Sequence, residues 1–471
     1  MPAPSLRDQL PSELLDVLNA IGDKGHPFLA GGCVRDWLLG LPPKDFDIEV
    51  YGCTVETLIK LLASFGKINL VGKSFGVIKL SLSSGTYDFS LPRKESKNGK
   101  GHRGFLIEAD PHLSQKEASA RRDFTFNAIL YDPIEETLID YFEGVQDLKK
   151  KILRHTSDAF AEDPLRVLRG FQFAGRFGLK MAPETISLCQ SIQSECPTLP
   201  RERIWMEWEK WASRATIPSM GLTILLETGW IKHFPEIAQL HDLPQDPEWH
   251  PEGDVLTHTG YCLDALAQLS AWKTASLKDR ITLMLATLTH DLGKVPTTEF
   301  AERRGKKRWI SPGHEAAGGP LADDFLQRIG APLSFQKSIR PLVVNHLYHH
   351  SWKEEGPSDA SIRRLSRRLA PATINQLCTV MEADRLGRPP LVSSDSAQRT
   401  TLLRQKADEL ALALNAPKPI LQGRHLIQKG ESPGPSFKSI LTAAFEAQLE
   451  GSFQDEAGAI KWLCDYLAKN K

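Results

Sequence analysis

Two carboxylates, Asp45 and Asp47, stand at i and i+2 in the strand-like run DFDIEVYG, so both are expected to project from one face of a strand. Two hard oxygen ligands side by side suit Mg²⁺, which is commonly held by one or two carboxylates plus substrate phosphates. A third acid, Asp88, alternates into the later strand YDFSL, where it completes the cluster. Upstream, Gly31 and Gly32 open the run GGCVRD, which also carries Arg35. Two glycines at a strand-to-helix turn let backbone N–H groups approach a phosphate, and the helix N-terminus adds positive potential. Alone, the acid pair reads as a solvated turn and the glycine pair as a plain turn. In this order and spacing they point to phosphoryl chemistry.

A second pair speaks to what the phosphoryl group is attached to. Asp163 and Arg166, in EDPLR, are i and i+3, which places them together on one helix face. A carboxylate accepts hydrogen bonds and a guanidinium donates them. Cytosine and adenine both present an exocyclic amino donor beside a ring-nitrogen acceptor, whereas guanine and uracil present the reverse. Alone, the pair reads as an i,i+3 surface ion pair; on a protein that handles nucleotides it can accept CTP and ATP while rejecting GTP and UTP, with no nucleic-acid template.

A third constellation lies far downstream. His290-Asp291 is preceded by His258 and followed by Asp384, with His314 and His346 between. Histidine nitrogen with aspartate oxygen suits a divalent transition metal such as Mn²⁺, Ni²⁺, Co²⁺ or Zn²⁺. A metal-bound water beside a phosphate is then a nucleophile, and Lys294 is placed to steady that phosphate.

The run GGCVRDWLLGLPPKDFDIEV resembles the signature of the class II tRNA nucleotidyltransferase and poly(A) polymerase family. The resemblance continues through Arg121-Arg122-Asp123-Phe124-Thr125-Phe126-Asn127-Ala128, similar to the family's ribose-selecting RRDxxxNA, then EDPLR and ERIWME (residues 202–207), similar to its EDxxR and ERxxxE. It implies that Asp45 and Asp47 hold Mg²⁺ in a two-metal site, with Asp88 as third carboxylate, and that Gly31, Gly32 and Arg35 bind the nucleotide. It further implies that Arg121 and Asp123 contact phosphate and ribose, that Asn127 sits beside the sugar, and that Asp163 and Arg166 read the base. His258, His290, Asp291 and Asp384 resemble the metal ligands of an HD phosphohydrolase domain over roughly 250–390.

The expected activity is template-independent addition of CCA to a tRNA 3′ end from CTP and ATP. The alternatives are an A-adding enzyme needing a separate CC-adding one, the HD domain as principal activity on 2′,3′-cyclic or 2′-phosphates, and a non-catalytic RNA-binding role. A basic stretch with Arg93, Lys94, Lys97, Lys100 and Arg103 against Glu95 reads as a mobile loop able to touch RNA. In the family such a loop is tied to adding the terminal A. Gly72-Lys73-Ser74-Phe75-Gly76 stands where the family's poly(A) polymerases are Arg-rich, which counts against that activity, and Gln172 replaces a frequent Arg before Phe173-Ala174.

These residues need elements to hold them. Short strand runs (PFLAGG, DFDIEVYG, GVIKLSL, YDFSL) alternate with helical patterns over roughly 25–150, implying an α/β nucleotidyltransferase-like head with a small mixed sheet. Strand signals then stop, and an all-α neck, body, HD domain and tail are expected, divided as 1–150, 151–245, 246–395 and 396–471. The Pro433-Gly434-Pro435 cluster is expected to start a tail helix. The 471 residues carry 58 Lys+Arg against 58 Asp+Glu, so any polyanion must be held by local patches such as Lys149-Lys150-Lys151 and RRGKKR (303–308). The 7 cysteines are scattered without CxxC spacing, which excludes a disulfide framework and a zinc-thiolate site. With no apolar run of membrane-spanning length and no leader pattern, a cytoplasmic protein is expected, with no membrane and no protein partner deducible.

Overall fold

The computed structural model describes residues 5–71, 77–97, 105–110, 112–303, 305–352, 356–391 and 394–470. Lys100, Arg103 and residues 72–76 lie outside them, as do the side chains of Lys94 and Lys97. The chain forms two compact units, Met1–Trp211 with Met220–His233, and Ala212–Ser219 with Phe234–Lys471.

The first unit opens with α1 (Ser12–Gly22), β1 (His26–Ala30), α2 (Gly32–Leu38), β2 (Asp47–Tyr51), α3 (Val55–Ala63), β3 (Lys67–Val71), β4 (Val77–Leu82) and β5 (Gly85–Ser90). Then come β6 (Arg93–Lys97), β7 (Phe105–Ala109), α4 (Gln115–Ala120), β8 (Leu130–Asp132), β9 (Thr137–Ile139) and α5 (Gly144–Lys150). The sheet runs in the order β3-β4-β5-β2-β1-β8-β9, with only β2 and β5 parallel. That parallel pair places Asp47 opposite Asp88. β1 is the apolar run HPFLA, buried from Pro27 onward, and it ends at Gly31, whose φ of 71° suits a residue without Cβ. Within its described residues, the basic stretch expected to be a loop forms an antiparallel ribbon, Arg93–Lys97 against Phe105–Ala109, in which each backbone satisfies the other.

The helical part follows with β10 (Ile152–Leu153), α6 (Leu165–Phe177), β11 (Lys180–Met181), α7 (Pro183–Ser191), α8 (Arg201–Arg214) and α9 (Pro218–Glu227). Two residues each, β10 and β11 form a parallel pair after the point where strands were expected to stop. Phe171 of α6 packs on Trp208 and Trp211 of α8 at ring separations of 4.6 and 5.2 Å, and all three are fully buried. These rings fix α6, and α6 starts beside the residues expected to read the base.

In the second unit the helices are α10 (Pro235–Ala238), α11 (Val255–Gln268), α12 (Ser270–Lys273), α13 (Leu277–Thr289) and α14 (Lys294–Thr297). After an antiparallel hairpin of β12 (Glu299–Arg303) and β13 (Lys306–Ile310) come α15 (His314–Arg328), α16 (Leu333–Asn345), α17 (Asp359–Leu369), α18 (Ile374–Leu386) and α19 (Ser394–Glu409). The tail is α20 (Gly423–Gln428), α21 (Pro435–Glu450) and α22 (Glu456–Lys469), with Pro435 opening α21 as the sequence predicted. The hairpin corrects the all-α expectation: RRGKKR turns at Gly305 (φ 74°), and Phe300 pairs with Trp309 across it. Aromatic pairing across two short strands outweighs the charged residues that made the stretch read as a loop. No helix among the described residues is long and apolar enough to cross a membrane.

Trp208→Ala is expected to lower the stability of the first unit by about 3–5 kcal/mol, read as a lower urea midpoint, because a wholly buried ring leaves a cavity beside Phe171.

Candidate active sites

The first unit carries a cleft of about 560 Å³ whose wall includes Gly31, Gly32, Arg35, Asp47, Asp88, Arg93, Arg121, Asp123, Asn127, Asp163 and Arg166. Residues from four separate sequence motifs therefore share one cavity. Asp45 departs from the expectation. β2 begins at Asp47, and Asp45 precedes it, exposed and with a left-handed backbone (φ 53°), so the two carboxylates do not alternate along one strand. Pro42-Pro43 just ahead cannot extend a strand ladder, and aspartate tolerates that left-handed turn.

Asp47 and Asp88 are cross-strand neighbours in the parallel pair, and Lys79 Nζ donates to both oxygens of Asp88 at 2.6 and 2.8 Å. Desolvation in the cleft, with the charges of Asp88 and Asp45 beside it, pushes the Asp47 carboxyl up to about 6 against the pull of Arg122. Carboxylates crowded enough to resist ionisation are what a divalent cation relieves, so these residues fit Mg²⁺.

Asp123 is a structural hub rather than a bare ligand. It accepts from Asn127 Nδ2 at 2.9 Å, from Arg169 Nε at 2.7 Å and from the Phe124 N–H at 2.8 Å. Burial opposes its charge, yet Arg169 and these donors hold it below the usual carboxylate range. Asn127 Oδ1 in turn accepts from Arg35 at 2.8 Å, and the Arg35 guanidinium lies over Phe173 and Phe177 at 5.2 and 5.0 Å. Arg122 is drawn to Glu49 at 2.6 Å and also lines the cleft. Arg121 donates to Glu162 at 2.7 Å.

Asp163 and Arg166 do not sit on one helix face. Asp163 lies one residue ahead of Pro164, the N-cap of α6, and accepts from the Leu165 N–H at 3.1 Å, while Arg166 is the helix's second residue. Pro164 between them keeps Asp163 extended (φ -119°, ψ 99°), outside the helix. Nor do they pair with each other. Arg203 holds Asp163 Oδ2 at 2.9 Å, and Arg166 donates to the carbonyls of Ala159 and Arg121 at 2.9 and 2.7 Å. Arg169, Arg203 and Glu49 were given no role from the sequence, although Arg203 and Glu49 stand within the quoted motifs and Arg169 just after EDPLR.

Asp123→Ala is expected to lower stability by about 3 kcal/mol, since it strands a guanidinium and an amide. A depressed carboxyl contributes stability that is present above its unfolded pKa of about 3.9 and lost as the pH falls below it. The urea midpoint of Asp123→Asn should therefore drop less between pH 7 and pH 3 than that of the unmodified chain.

The second unit carries the other site, at the edge of a cleft of about 630 Å³. His258 comes from α11, His290 and Asp291 from the end of α13, and Asp384 from the last turn of α18. All four are buried. His258 Nε2 lies 3.2 Å from Asp384 and 3.6 Å from Asp291, and His290 Nε2 lies 3.2 Å from Asp291. The expected quartet is thus brought together. Close packing makes this possible: a Cβ on Gly387 would meet Cys262 Sγ of α11 at 2.2 Å, and one on Gly293 would meet the His314 carbonyl at 1.8 Å.

Orientation is set from behind. His290 Nδ1 is bonded to the Thr287 carbonyl at 2.7 Å, and His258 Nδ1 to Gly387 O at 3.1 Å and Glu252 Oε1 at 2.8 Å. A carbonyl only accepts, so Nδ1 carries the proton and the Nε2 lone pair faces inward in the neutral ring. His290 Nε2 makes no hydrogen bond although it is wholly buried. This donor set fits a divalent transition metal. Lys294 Nζ reaches Asp291 at 2.7 Å and Gln245 at 2.8 Å, and Arg388 reaches Asp384 at 2.6 Å. Burial opposes their charge, but His290 and Lys294 hold Asp291, and Arg388 and His258 hold Asp384, well below the usual carboxylate range, the histidines doing so only in their protonated form. Glu252, which no sequence motif marks, is the carboxylate behind His258. Its replacement, Glu252→Gln, is expected to weaken Ni²⁺ binding about 10–100-fold in calorimetric titration.

Residues 27–154 match the family model described as the poly A polymerase head domain, and residues 255–388 match that of the HD domain. A multifunctional CCA protein of Xylella fastidiosa strain 9a5c is 35% identical over 416 residues, covering 86% of this chain and 94% of that protein. One from Mannheimia succiniciproducens is 34% identical over 409 residues, covering 84% and 92%. In fold the chain is similar to a Bacillus stearothermophilus CCA-adding enzyme in complex with CTP (TM-score 0.63, 21% identity, 97% and 98% of the two chains). It is similar also to a Thermotoga maritima CCA-adding enzyme complexed with tRNA (0.59, 19%, 98% and 97%). With motifs, sheet and both clefts in agreement with these likenesses, the chain belongs to the multifunctional CCA protein family.

Proposed function

We propose that this protein adds CCA to tRNA 3′ ends, taking CTP and ATP as substrates and using no template. The observation that carries the reading is a single cleft in which Asp47 and Asp88 face the same space as Asp163 and Arg166. Its four working parts are then the head (1–150), neck and body (151–245), HD domain (246–395) and tail (396–471).

Mg²⁺ held by Asp47, Asp88 and Asp45 would neutralise triphosphate charge and activate the attacking 3′-hydroxyl. Everything else falls to side chains. Gly31 and Gly32 let the triphosphate approach the backbone where α2 begins. Arg121 supplies charge to the phosphates, and Asn127, fixed between Arg35 and Asp123, presents a set edge to the ribose. Asp163, clamped by Arg203, accepts from the exocyclic amino group of cytosine or adenine, and Arg166, pinned by two carbonyls, donates toward the ring nitrogen. A nucleobase of reversed polarity leaves a buried donor and acceptor unmatched, which is the strongest form of rejection such a site has. Arg93 at the cleft rim, with Lys94, Lys97, Lys100 and Arg103 after it in sequence, supplies phosphate contacts for the RNA.

The HD cleft supports a second activity, metal-dependent hydrolysis of phosphate esters. Its histidine–aspartate ligands lie beside Lys294 and Arg388, two cations suited to a phosphate. The metal proposed there is Ni²⁺, Mn²⁺ or Co²⁺.

The test uses purified protein, Mg²⁺ and three labelled tRNAs ending at the discriminator base, at C and at CC. Extension of the shortest by CCA with both nucleotides is expected. Growth of only the CC-ended tRNA would make this an A-adding enzyme instead. Asp47→Ala should abolish extension by at least about 10³-fold, in the range of removing a key transition-state contact, while tRNA affinity by filter binding is unchanged.

A further inference from the structure

In the proposed function the cleft of the first unit reads a sugar at one point and a base at another, and Arg169 stands between them. Asn127, on the sugar side, donates to Asp123, and Arg169 holds that carboxylate through Nε at 2.7 Å and Nη2 at 2.6 Å. Arg169 lies on α6 one turn after Arg166, so both side chains project from one face of the helix. Its guanidinium lies over the Phe173 ring at 5.3 Å, and that of Arg35, the other partner of Asn127, lies over the same ring at 5.2 Å. Both hydrogen bonds of the Asn127 side chain therefore lead to α6. Arg169 also lines the cleft together with Asp163, Arg166 and Arg203.

The path is stiff but can yield. Asp123 and Asn127 are buried, where a group that loses its partner stays unpaired. Burial opposes the charge of Arg169, but Asp123, then Glu207 and Asp163, hold it above the usual guanidinium range, so all three carboxylates lie within its electrostatic reach. Glu207 comes from α8, is buried, and leaves Oε2 without a hydrogen bond. An acceptor in that state offers Arg169 a second seat whenever Asp123 lets go.

We propose that Arg169 is a positioning residue that couples the choice of sugar to the choice of base. The inference rests on the nucleotidyl-transfer reading of this cleft. A ribose seats Asn127 and Asp123, Asp123 fixes Arg169, and Arg169 steadies the start of α6, where Asp163 and Arg166 meet the base. A 2′-deoxyribose leaves that chain slack, so the base is then read less strictly. Arg203, by contrast, bonds Asp163 on the base side.

The test uses the unmodified chain, Mg²⁺, a labelled tRNA ending at the discriminator base, and CTP, dCTP, UTP or dUTP, with kcat/KM read from single additions. Each wrong feature carries a penalty relative to CTP. Groups in one network do not act additively, so the dUTP penalty should fall short of the product of the dCTP and UTP penalties by at least about 3-fold. A dUTP penalty equal to that product would overturn the inference while leaving nucleotidyl transfer intact. No addition of CTP would overturn the reading on which it rests, and the inference with it. In Arg169→Met both single penalties should shrink, and they should multiply to give that of dUTP. In Arg203→Met only the base penalty should shrink. If Arg169→Met slows all four nucleotides by one factor and leaves their ratios unchanged, Arg169 is structural only and the inference is overturned. The comparison in the unmodified chain stands whether or not that variant folds.

Discussion

The head of this protein is organised around one buried carboxylate. Asp123 lies on the segment after α4, and its partners come from elsewhere: Asn127 from the next turn and Arg169 from α6. Through Asn127 the network reaches Arg35 on α2, which is wedged over two phenylalanines of α6. Sheet, glycine turn and reading helix are thereby joined by polar contacts in a place where a missing partner is expensive. In the proposed function this join would set the nucleotide's sugar relative to its base, with Asn127 at the one and the start of the helix carrying Arg169 at the other.

A comparable role falls to Asp291 in the second unit. It stands just past the end of α13, so its carboxylate emerges among four other chain segments that each supply a histidine or an aspartate. Both units place several of these groups at element ends, Asp47 at the start of β2 and Asp291 just past α13 among them. Element ends leave backbone carbonyls uncommitted, and in the HD cleft those carbonyls fix the ring tautomers of His290, His314 and His346.

Much of this was legible in the sequence because local spacing carries it. The Gly-Gly turn and the closeness of Asp47 and Asp88 follow from short motifs and strand alternation, while Asp123, Asn127 and the His–Asp quartet came with the family resemblance, which did not give the part Asp123 plays in joining α6 to the head. What stayed hidden depends on distant partners. Arg203 clamps Asp163 from 40 residues away and Arg169 meets Asp123 from 46, and neither spacing leaves a periodic trace. The helix-face reading of Asp163 and Arg166 failed because α6 begins only after the proline between them, which leaves Asp163 extended and outside it. Asp45 slipped off the strand for a related reason, a proline pair that sets where the ladder can begin. The β12–β13 hairpin was obscured by its charge, since Phe300 and Trp309 pair only once the strands are antiparallel.

Asp163 has two jobs, and they are mechanically inseparable. It accepts from the Leu165 N–H at the start of α6, and it lines the cleft, where the proposed function makes it the acceptor for the base. Arg166 is one residue into the same helix and tied to the chain on either side of it. The pair therefore behaves like two teeth cut into the end of one rod: a turn of α6 about its axis shifts acceptor and donor together. Preference between cytosine and adenine can then be altered by anything that rotates the rod, including packing at Phe171 or Phe173, without touching either tooth. Conversely, putting a donor in place of Asp163 would also remove the acceptor of the Leu165 N–H, so the proposed polarity of the base code is coupled to the first turn of the helix that carries it.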